Sequence, residues 1–430
     1  MKKFNKILAL CLALVMVVAC FASCGGNGGE DTTAPADEQT KVLSINEVEK
    51  TVSKAMDPIA KEDLKVGFIF LHDENSTYDK NFMDAAKAVQ AKFELTDEQV
   101  IFKVNIPEGD ECYNAAAELV DAGCDVIFAN SFGHEPYMIK AAKEFPEVQF
   151  CHATGTSALT ALVPNFHNAF ASIYEGRFLA GVAAGMKLNE MIENGDITAE
   201  QAKIGYVGAF PYAEVKSGFT SFFLGARYIC PSATMEVKYT NSWFDIALEK
   251  ESALALIKNG CALISQHADS EGAPKACEEN NIPNIAYNVD TAKELKCENT
   301  AIISSRISWE PYFELMINAM INGEAIPVDW CGGINEGSVL LTDLNTKAAA
   351  EGTQDKIDEV KGKLQDGSLK VFDTATFTVD GAKLDTYLAD IVSDEAFTPD
   401  SEAIKDGAFA ESSDRSAPYF DIIIDGITEI

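Results

Sequence analysis

Two stretches of this sequence align with each other without gaps: LVDAGCDVIFAN at residues 119–130 and LIKNGCALISQH at residues 256–267. In each stretch a helix-like segment ends at a Gly-Cys pair, and an apolar run follows at once. Glycine readily adopts the left-handed conformation that ends helices, so both stretches are typical of a helix, a glycine cap and a buried strand. The repetition indicates two similar lobes, each with its own sheet of strands and helices.

The same alternation of apolar runs and amphipathic segments continues on both sides of these stretches. Several of the runs are almost continuously apolar, as expected of strands that are covered on both faces. Predicted strands are 64–71, 100–106, 125–129, 148–154, 203–210, 233–240, 262–267, 284–289 and 301–307, and predicted helices are 80–93, 111–122, 174–193, 212–228, 247–258, 271–280 and 309–321. Alternating strands and helices predict an α/β fold with doubly wound parallel sheets.

The N-terminus has the pattern of an export signal. Lys2, Lys3 and Lys6 precede an apolar segment at 7–18 that is too short to span a bilayer comfortably. FASC at 21–24 is similar to the lipobox of bacterial lipoproteins, in which Cys24 would be lipidated, and VVAC at 17–20 leaves Cys20 as an alternative. An ordinary signal peptide cleaved near residue 22 is a third possibility. All three alternatives predict that the protein is exported. In the two lipoprotein alternatives, the lipid would tether it to the extracytoplasmic face of the cell membrane.

Composition divides the rest of the chain. Residues 25–63 are expected to be a flexible stalk and linker, since residues 25–47 carry almost no large apolar side chains. We expect a first lobe from 64–169 together with 301–430, and a second lobe from 170–300. Beyond residue 345 the pattern predicts a helix within 347–367, strands within 368–379 and a turn at the Asp-Gly pair 380–381.

Charge and cysteine content exclude several classes of protein. The formal net charge of -33 argues against a nucleic-acid ligand and against a polybasic membrane surface. Eight cysteines follow Cys24 at scattered spacings without a CxxC pair, which favours free thiols over disulfides or a zinc site. No motif supplies a nucleophile with its base or a phosphate-binding loop, so we expect neither enzymatic activity nor a cofactor.

Polar and aromatic residues follow five of the predicted strands. The carboxyl ends of strands in open α/β sheets are where ligands bind, and here these ends read HDENSTYD (72–79), NSFGH (130–134), TNSWFD (240–245), QHADS (266–270) and NVD (288–290). If the lobes face each other, these ends meet across one cleft. Trp243 stands out because its neighbours are polar, which suits a flat aromatic platform with hydrogen-bonding groups beside it.

Several segments together resemble the basic membrane protein (BMP) family of ABC-transporter substrate-binding lipoproteins, which includes purine and purine-nucleoside receptors. The resemblance covers roughly 64–345. It is carried by KVGFIFL (65–71), AGCDVIFANSFGH (122–134), YEGRFLAGVAAG (174–185), KIGYVGAFPYAEVKSGFTSFFLGAR (203–227), YTNSWFD (239–245), SQHADSEGAPKACEE (265–279) and YNVD (287–290). It implies a type I periplasmic-binding-protein fold, in which two Rossmann-like lobes joined by hinge strands close on a ligand.

The resemblance also implies ligand-binding positions. Matching the family's segments residue by residue gives the candidates Trp243, Asn130, Phe132, His267, Asp269 and Asp290, and Tyr78 is expected to replace a tryptophan that related chains carry in the first loop. The aromatic candidates would stack on a planar ligand and the polar ones would hydrogen-bond its edge. Each has an alternative structural role: helix capping for the two aspartates, and packing or cleft-wall positions for the others.

These observations predict an extracytoplasmic solute-binding lipoprotein. It would capture a purine base or nucleoside as a monomer and deliver it to the permease and ATPase subunits of an ABC importer. A sugar-binding protein of the same fold and a ligand-sensing lipoprotein without a transport role remain alternatives.

Overall fold

The computed structural model describes residues 54–391 and 401–430. Its longer strands are β1 (Val66–Ile69), β2 (Val100–Lys103), β3 (Val126–Ala129), β4 (Gln149–Ala153), β5 (Phe166–Ala171), β6 (Lys203–Gly208), β7 (Thr234–Tyr239), β8 (Leu263–His267), β9 (Asn284–Tyr287), β10 (Ala301–Ile307), β11 (Asp329–Gly332), β12 (Val339–Leu341) and β17 (Ile427–Glu429). Four two-residue strands lie between β12 and β17: β13 (Leu388–Ala389), β14 (Ser401–Glu402), β15 (Ile404–Lys405) and β16 (Ala408–Phe409).

The helices alternate with these strands. They are α1 (Thr77–Phe93), α2 (Asp110–Asp121), α3 (Glu135–Glu144), α4 (Ala158–Ala161), α5 (Ile173–Glu193), α6 (Ala213–Ile229), α7 (Ile246–Lys258), α8 (Gly272–Asn280), α9 (Thr291–Glu294), α10 (Glu310–Asn322) and α11 (Thr353–Gln365), with 3₁₀ turns at Phe132–His134 and Ala199–Gln201. All seven helices and all nine strands predicted over residues 64–321 are confirmed, with end shifts of a few residues.

Two sheets define two lobes. The first sheet has the order β11-β5-β4-β3-β1-β2 and is parallel throughout. The second has the order β12-β10-β9-β8-β6-β7-β17, and in it β12 runs antiparallel to β10. The chain passes between the sheets after β5, after β10 and again between β11 and β12. The prediction of two lobes with doubly wound parallel sheets and connecting segments is therefore confirmed.

The two aligned stretches form the same local structure. Gly123 and Gly260 have φ values of 84° and 85°, the left-handed conformation that glycine adopts without strain. The N–H of Cys124 donates to Leu119 O at 3.0 Å, and the N–H of Cys261 donates to Leu256 O at 3.1 Å. Each lobe thus ends a helix with this type of cap and enters its β3 or β8 strand one turn later.

The C-terminal part of the chain, from residue 301, is divided between the sheets differently from the expected boundaries. Residues 301–430 were expected in the first lobe, but β10, β12 and β17 pair within the second sheet and β11 alone joins the first. β10 continues the buried parallel order beside β9, and β17 covers the outer edge of β7. An uncovered sheet edge exposes unpaired backbone groups, so this last strand protects the second sheet.

Two further segments differ in part from expectation. The predicted helix near 347–367 forms as α11, and the Asp380-Gly381 turn is present between Val379 and Ala382, with both turn residues at positive φ. Residues 368–379 were predicted as strands, yet they make isolated bridges instead of a sheet. Within the predicted linker, the Ile59 N–H donates to Met320 O at 3.0 Å, so this end of the linker is fixed to α10.

The signal peptide, the lipobox with Cys24 and Cys20, and residues 25–53 of the stalk lie outside the described residues. Within residues 54–391 and 401–430, no helix is long and apolar enough to cross a membrane. The eight cysteines in this part of the chain are unpaired, and seven of them are buried. In the same residues no group of His, Cys, Asp and Glu side chains is arranged to hold a metal ion.

Candidate functional site

A narrow cavity lies between the lobes at the carboxyl ends of their strands. About 340 Å³ of atom-free space lies here, part of it open to solvent, so the cavity is narrow with the lobes in this arrangement. Both lobes line it: the first lobe contributes Leu71, Tyr78, Ser131, Phe132 and Thr154, and the second contributes Glu214, Trp243, His267, Asp269 and Tyr287. Five of the seven residues predicted from the sequence therefore border one cavity.

Trp243 belongs to an aromatic group on the second-lobe side. Its ring packs edge-on against Phe210, with centroids 5.1 Å apart and an interplanar angle of 65°. Tyr212 stacks on Phe210 at 5.1 Å and lies 5.9 Å from Phe132 of the first lobe. The backbone C=O of Trp243 also accepts the Asp269 N–H at 2.8 Å. These contacts fix the indole at the cavity wall before any ligand arrives.

Asp269 and Tyr287 form a buried polar pair in the cavity. The Tyr287 hydroxyl donates to Asp269 Oδ1. Burial raises the pKa of Asp269 well above its ordinary value, although the hydrogen bond from Tyr287 opposes the shift and nearby Glu249 adds to it. The Arg177 guanidinium lies over the Tyr287 ring, 4.2 Å from its centroid. A buried carboxyl group can accept hydrogen bonds from N–H or O–H groups of a ligand and, when protonated, can also donate one.

His267 faces a second acidic residue. Its Nε2 lies 3.5 Å from Glu214 Oε1. Burial, with the positive charge of Arg177, lowers the pKa of His267 to about 4, against the opposing effect of Glu214. The imidazole is therefore neutral at neutral pH and presents one donor and one acceptor.

The lobes touch around the cavity. Both the backbone N–H and the hydroxyl of Thr77, at the start of α1, donate to Asp269 O, at 2.9 and 3.1 Å. Lys80 forms an ion pair with Glu294 at 3.2 Å, and the His72 and Phe244 rings lie 5.3 Å apart. The cavity is therefore enclosed by a closed arrangement of the two lobes.

Two predicted site residues do not line the cavity. Asn130 is fully buried: its Oδ1 accepts the Leu71 N–H at 3.1 Å and its Nδ2 donates to Asp79 at 2.8 Å, which joins the ends of β1 and β3 to α1. Asp290 is the N-cap of α9, where it accepts the Lys293 N–H at 3.2 Å and pairs with the Lys293 ammonium at 3.0 Å. The capping alternative describes Asp290, whereas Asp269 is not an N-cap.

Sequence reasoning missed five lining residues: Leu71, Ser131, Thr154, Glu214 and Tyr287. Leu71, Ser131, Glu214 and Tyr287 lie within segments that carried the family resemblance. Leu71 and Ser131 follow the last residues of β1 and β3 closely, and Tyr287 is the last residue of β9. Glu214 is in the first turn of α6, four residues after Phe210, and Thr154 follows β4 with a φ of 67°. A search of the residues that follow the carboxyl ends of β4 and β6 would have identified Thr154 and Glu214 as candidates.

Glu249 holds the two loops that carry Trp243 and Asp269. It is fully buried, and its carboxylate accepts the Ser270 N–H at 3.1 Å and the Asp245 N–H at 3.2 Å. Burial raises its pKa from 4.5 to about 7, while the hydrogen bonds from Ser270 and Asp245 oppose the shift. One carboxyl group therefore links the loop after β7 to the loop after β8.

We expect Glu249→Gln to change the pH dependence of stability. The pKa of Glu249 is higher in the folded protein than in the unfolded chain, so the folded state binds this proton more tightly. The stability that protonation of Glu249 contributes is therefore lost as pH rises from 4.5 to about 7. Glutamine keeps the acceptor but does not titrate, so the stability of the variant relative to the wild type should rise by about 1.4 kcal/mol per pH unit in this window. Urea denaturation at several pH values measures it, and a pH-independent difference would contradict the assignment.

The fold and the cavity define a two-lobed solute-binding protein. The sequence profile of the Bmp family, described as ABC transporter substrate-binding protein PnrA-like, matches residues 68–369. The chain belongs to this family, whose members are binding proteins of ABC transporters and not enzymes.

Two curated relatives differ in the ligand that their names state. A purine-binding protein of Brucella abortus is 31% identical over 330 residues, covering 75% of this chain and 87% of the relative. A putative ABC transporter glucose-binding protein of Haloferax volcanii is 27% identical over 312 residues, covering 73% and 72%. The fold also resembles a solved solute-binding protein from Conexibacter woesei, with a TM-score of 0.57 and 18% identity over 71% of this chain and 98% of that one.

Proposed function

We propose that the protein captures a purine base or nucleoside in the cavity between its lobes and delivers it to an ABC importer. The observation that carries this proposal is the joint presence of an aromatic wall, Trp243 and Phe132, and a buried polar edge, Asp269 with Tyr287, on one narrow cavity. A planar heterocycle needs both: a ring face to stack on and hydrogen-bonding partners for its edge. The 31% identical relative named as purine-binding supports the same ligand class.

The proposal also covers the location of the protein and its partner subunits. An exported chain with lipid on Cys24 would sit at the extracytoplasmic face of the membrane and meet the permease and its ATPase as a monomer. Closure of the lobes, held by the Thr77 and Lys80 contacts, would present a single closed shape to the permease.

A sugar is the second candidate, because one relative is named as glucose-binding. Carboxylates beside aromatic rings also suit sugars. A thermal-shift panel of purine bases, nucleosides, pyrimidines, simple sugars and amino acids separates the candidates. A ligand at a hundred times its dissociation constant adds about 2.7 kcal/mol of stability, which raises the midpoint by a few degrees. A shift with purines or their nucleosides is the expected result, and a shift with sugars alone would contradict the purine proposal.

Replacing Asp269 by alanine is expected to weaken purine binding by about tenfold, since a buried donor or acceptor left without its hydrogen-bonding partner costs roughly 1–3 kcal/mol. Asp290→Asn is the matched control: asparagine caps helices as well as aspartate does, and Asp290 lies outside the cavity lining. Isothermal titration of both variants with the panel's best ligand makes the comparison. Weaker binding by Asp290→Asn, with Asp269→Ala unchanged, would restore the ligand role predicted for Asp290 and remove that of Asp269.

A further inference from the structure

Arg177 is a buried cation without a carboxylate partner. It lies in the second turn of α5 and is 1% exposed. Among the described residues it takes part in no ion pair, and its Nε makes no hydrogen bond. A buried charge without a counter-charge costs stability, so an apolar side chain of similar length would suit the interior of the second lobe better. The presence of this cation therefore indicates a role other than packing.

The guanidinium lies behind the second-lobe wall of the cavity. Its Nη1 donates at 2.9 Å to the backbone carbonyl of Gln266, the residue before His267, and its Cζ lies 4.2 Å from the centroid of the Tyr287 ring. The rings of His267 and Tyr287 are 5.2 Å apart, with an interplanar angle of 60°. His267 and Tyr287 line the cavity, whereas Arg177 does not. The cation therefore contacts Tyr287 and the backbone beside His267 without bordering the space for a ligand.

The imidazole of His267 lies among several charged and titratable side chains. Its Nε2 faces Glu214 Oε1 at 3.5 Å. Its Nδ1 lies against α6, where an added Cβ on Gly218 would be 2.6 Å away, and this nitrogen has no hydrogen-bonding partner among the described residues. The groups around the ring are Arg177 of α5, Glu214 of α6, Tyr206 of β6, Tyr287 of β9 and Asp269 of the loop after β8.

The charge of Arg177 affects which form of His267 faces Glu214. Burial lowers the pKa of His267, and the positive charge of Arg177 lowers it further, to about 4, while Glu214 opposes the shift. An imidazolium would form a charge-assisted hydrogen bond with the Glu214 carboxylate and occupy its acceptor oxygens. A neutral imidazole leaves these oxygens free to accept hydrogen bonds from a ligand, and Glu214 does line the cavity.

We propose that Arg177 is a positioning residue for the ligand site and acts from behind the cavity wall through Tyr287 and His267. The cation over the Tyr287 ring holds in place the hydroxyl that donates to Asp269. Its positive charge favours the neutral imidazole of His267, which leaves Glu214 available to the ligand. This inference rests on the proposed purine function and adds to it a residue that touches no ligand.

Arg177→Met tests this role, because methionine keeps an unbranched apolar stem and removes the charge. The probe is whichever of adenine, hypoxanthine, adenosine and inosine the wild type binds most tightly, titrated calorimetrically between pH of about 5 and about 7. Affinity of the variant relative to the wild type should fall by about threefold or more as pH decreases across this range, because His267 is protonated more readily without the neighbouring cation.

A double variant shows whether this effect passes through His267. Glutamine does not titrate, so Arg177→Met combined with His267→Gln should lose the additional pH dependence that Arg177→Met shows alone. His267→Gln by itself supplies the baseline for the comparison. Asp269 and Glu249 titrate in all of these proteins, so their contributions do not distinguish the variants.

Two further variants serve as controls. Arg177→Lys keeps the positive charge, so its pH profile should run parallel to that of the wild type. Arg227 of α6 matches Arg177 in kind: it lies over the Phe223 ring at 5.4 Å and donates to Asp425 O at 3.2 Å, but it lies outside the cavity lining. Arg227→Met should therefore leave both the affinity and its pH profile unchanged.

Parallel pH profiles for Arg177→Met and the wild type would overturn the positioning role and leave the proposed function intact. Additional pH dependence that persists in the double variant would also overturn it, because Arg177 would then not act through His267. If Arg177→Met does not fold, Arg177→Lys carries the test, and a profile that departs from the wild type despite the retained charge contradicts the proposal. Failure of the wild type to bind any of the four probes would overturn the proposed function as well.

Discussion

Trp243→Ala is expected to weaken purine binding by about tenfold to a hundredfold, because stacking a base on an aromatic side chain contributes roughly 1–3 kcal/mol. The indole needs no rearrangement to serve as a platform: Phe210 supports its edge, and its backbone is bonded to that of Asp269. The loss should therefore appear as weaker affinity with little change in the stability of the unliganded protein. Titration calorimetry measures the first quantity and urea denaturation the second.

Tyr228→Ala is the control for this experiment. Tyr228 is an exposed aromatic residue on α6 that contacts Phe178 and lies outside the residues lining the cavity. Its removal should leave affinity unchanged. If Trp243→Ala and Tyr228→Ala bind the ligand equally well, Trp243 does not form a wall of the site, and any aromatic contact comes from the other aromatic residues that line the cavity: Phe132, Tyr78 or Tyr287.

The site could be predicted from sequence only where its residues follow the carboxyl ends of strands, the place where open α/β sheets bind ligands. Trp243 lies in the loop that follows β7, His267 is the last residue of β8, and Asp269 lies in the loop that follows it. The ends of these strands therefore indicated where the three side chains lie. Asn130 and Asp290 also follow strands, but local hydrogen bonds direct them to α1 and to the N-terminus of α9. Whether a polar side chain faces the cleft or caps a neighbouring element depends on tertiary contacts that a single sequence does not display.

For the fold as well, features set by neighbouring residues could be predicted from the sequence, whereas features set by contacts between distant residues could not. Helix caps and apolar runs identified the elements of residues 64–321 because those signals lie within a few residues of each other. The assignment of β10, β12 and β17 to the second sheet depends on pairing across long separations, such as Ile427 beside Met235. Alternation of strands and helices predicts a parallel sheet, but it does not specify which lobe receives a strand after the chain has crossed between them.

The contact between α5 and α6 gives the largest expected effect on stability. An added Cβ at Gly225 of α6 would lie 2.0 Å from Phe178 O of α5, and one at Gly181 of α5 would lie 2.0 Å from Phe222 O of α6. These glycines allow the two helix backbones to approach each other closely. Backbone atoms cannot turn away as a flexible side chain can, so any side chain at these positions forces the helices apart.

Gly225→Ala is therefore expected to lower the free energy of unfolding by about 3 kcal/mol, the upper part of the usual range for overpacked sites. Helix propensity alone predicts the opposite sign, since alanine is favoured over glycine inside a helix by about 1 kcal/mol. Gly362→Ala on α11 isolates that effect, because beyond the adjacent backbone of α11 itself no described atom lies within 4 Å of the added Cβ. Urea denaturation should show a stabilised Gly362→Ala and a strongly destabilised Gly225→Ala. A gain in stability for both variants would show that propensity outweighs the backbone contact, and that α5 and α6 can separate at little cost.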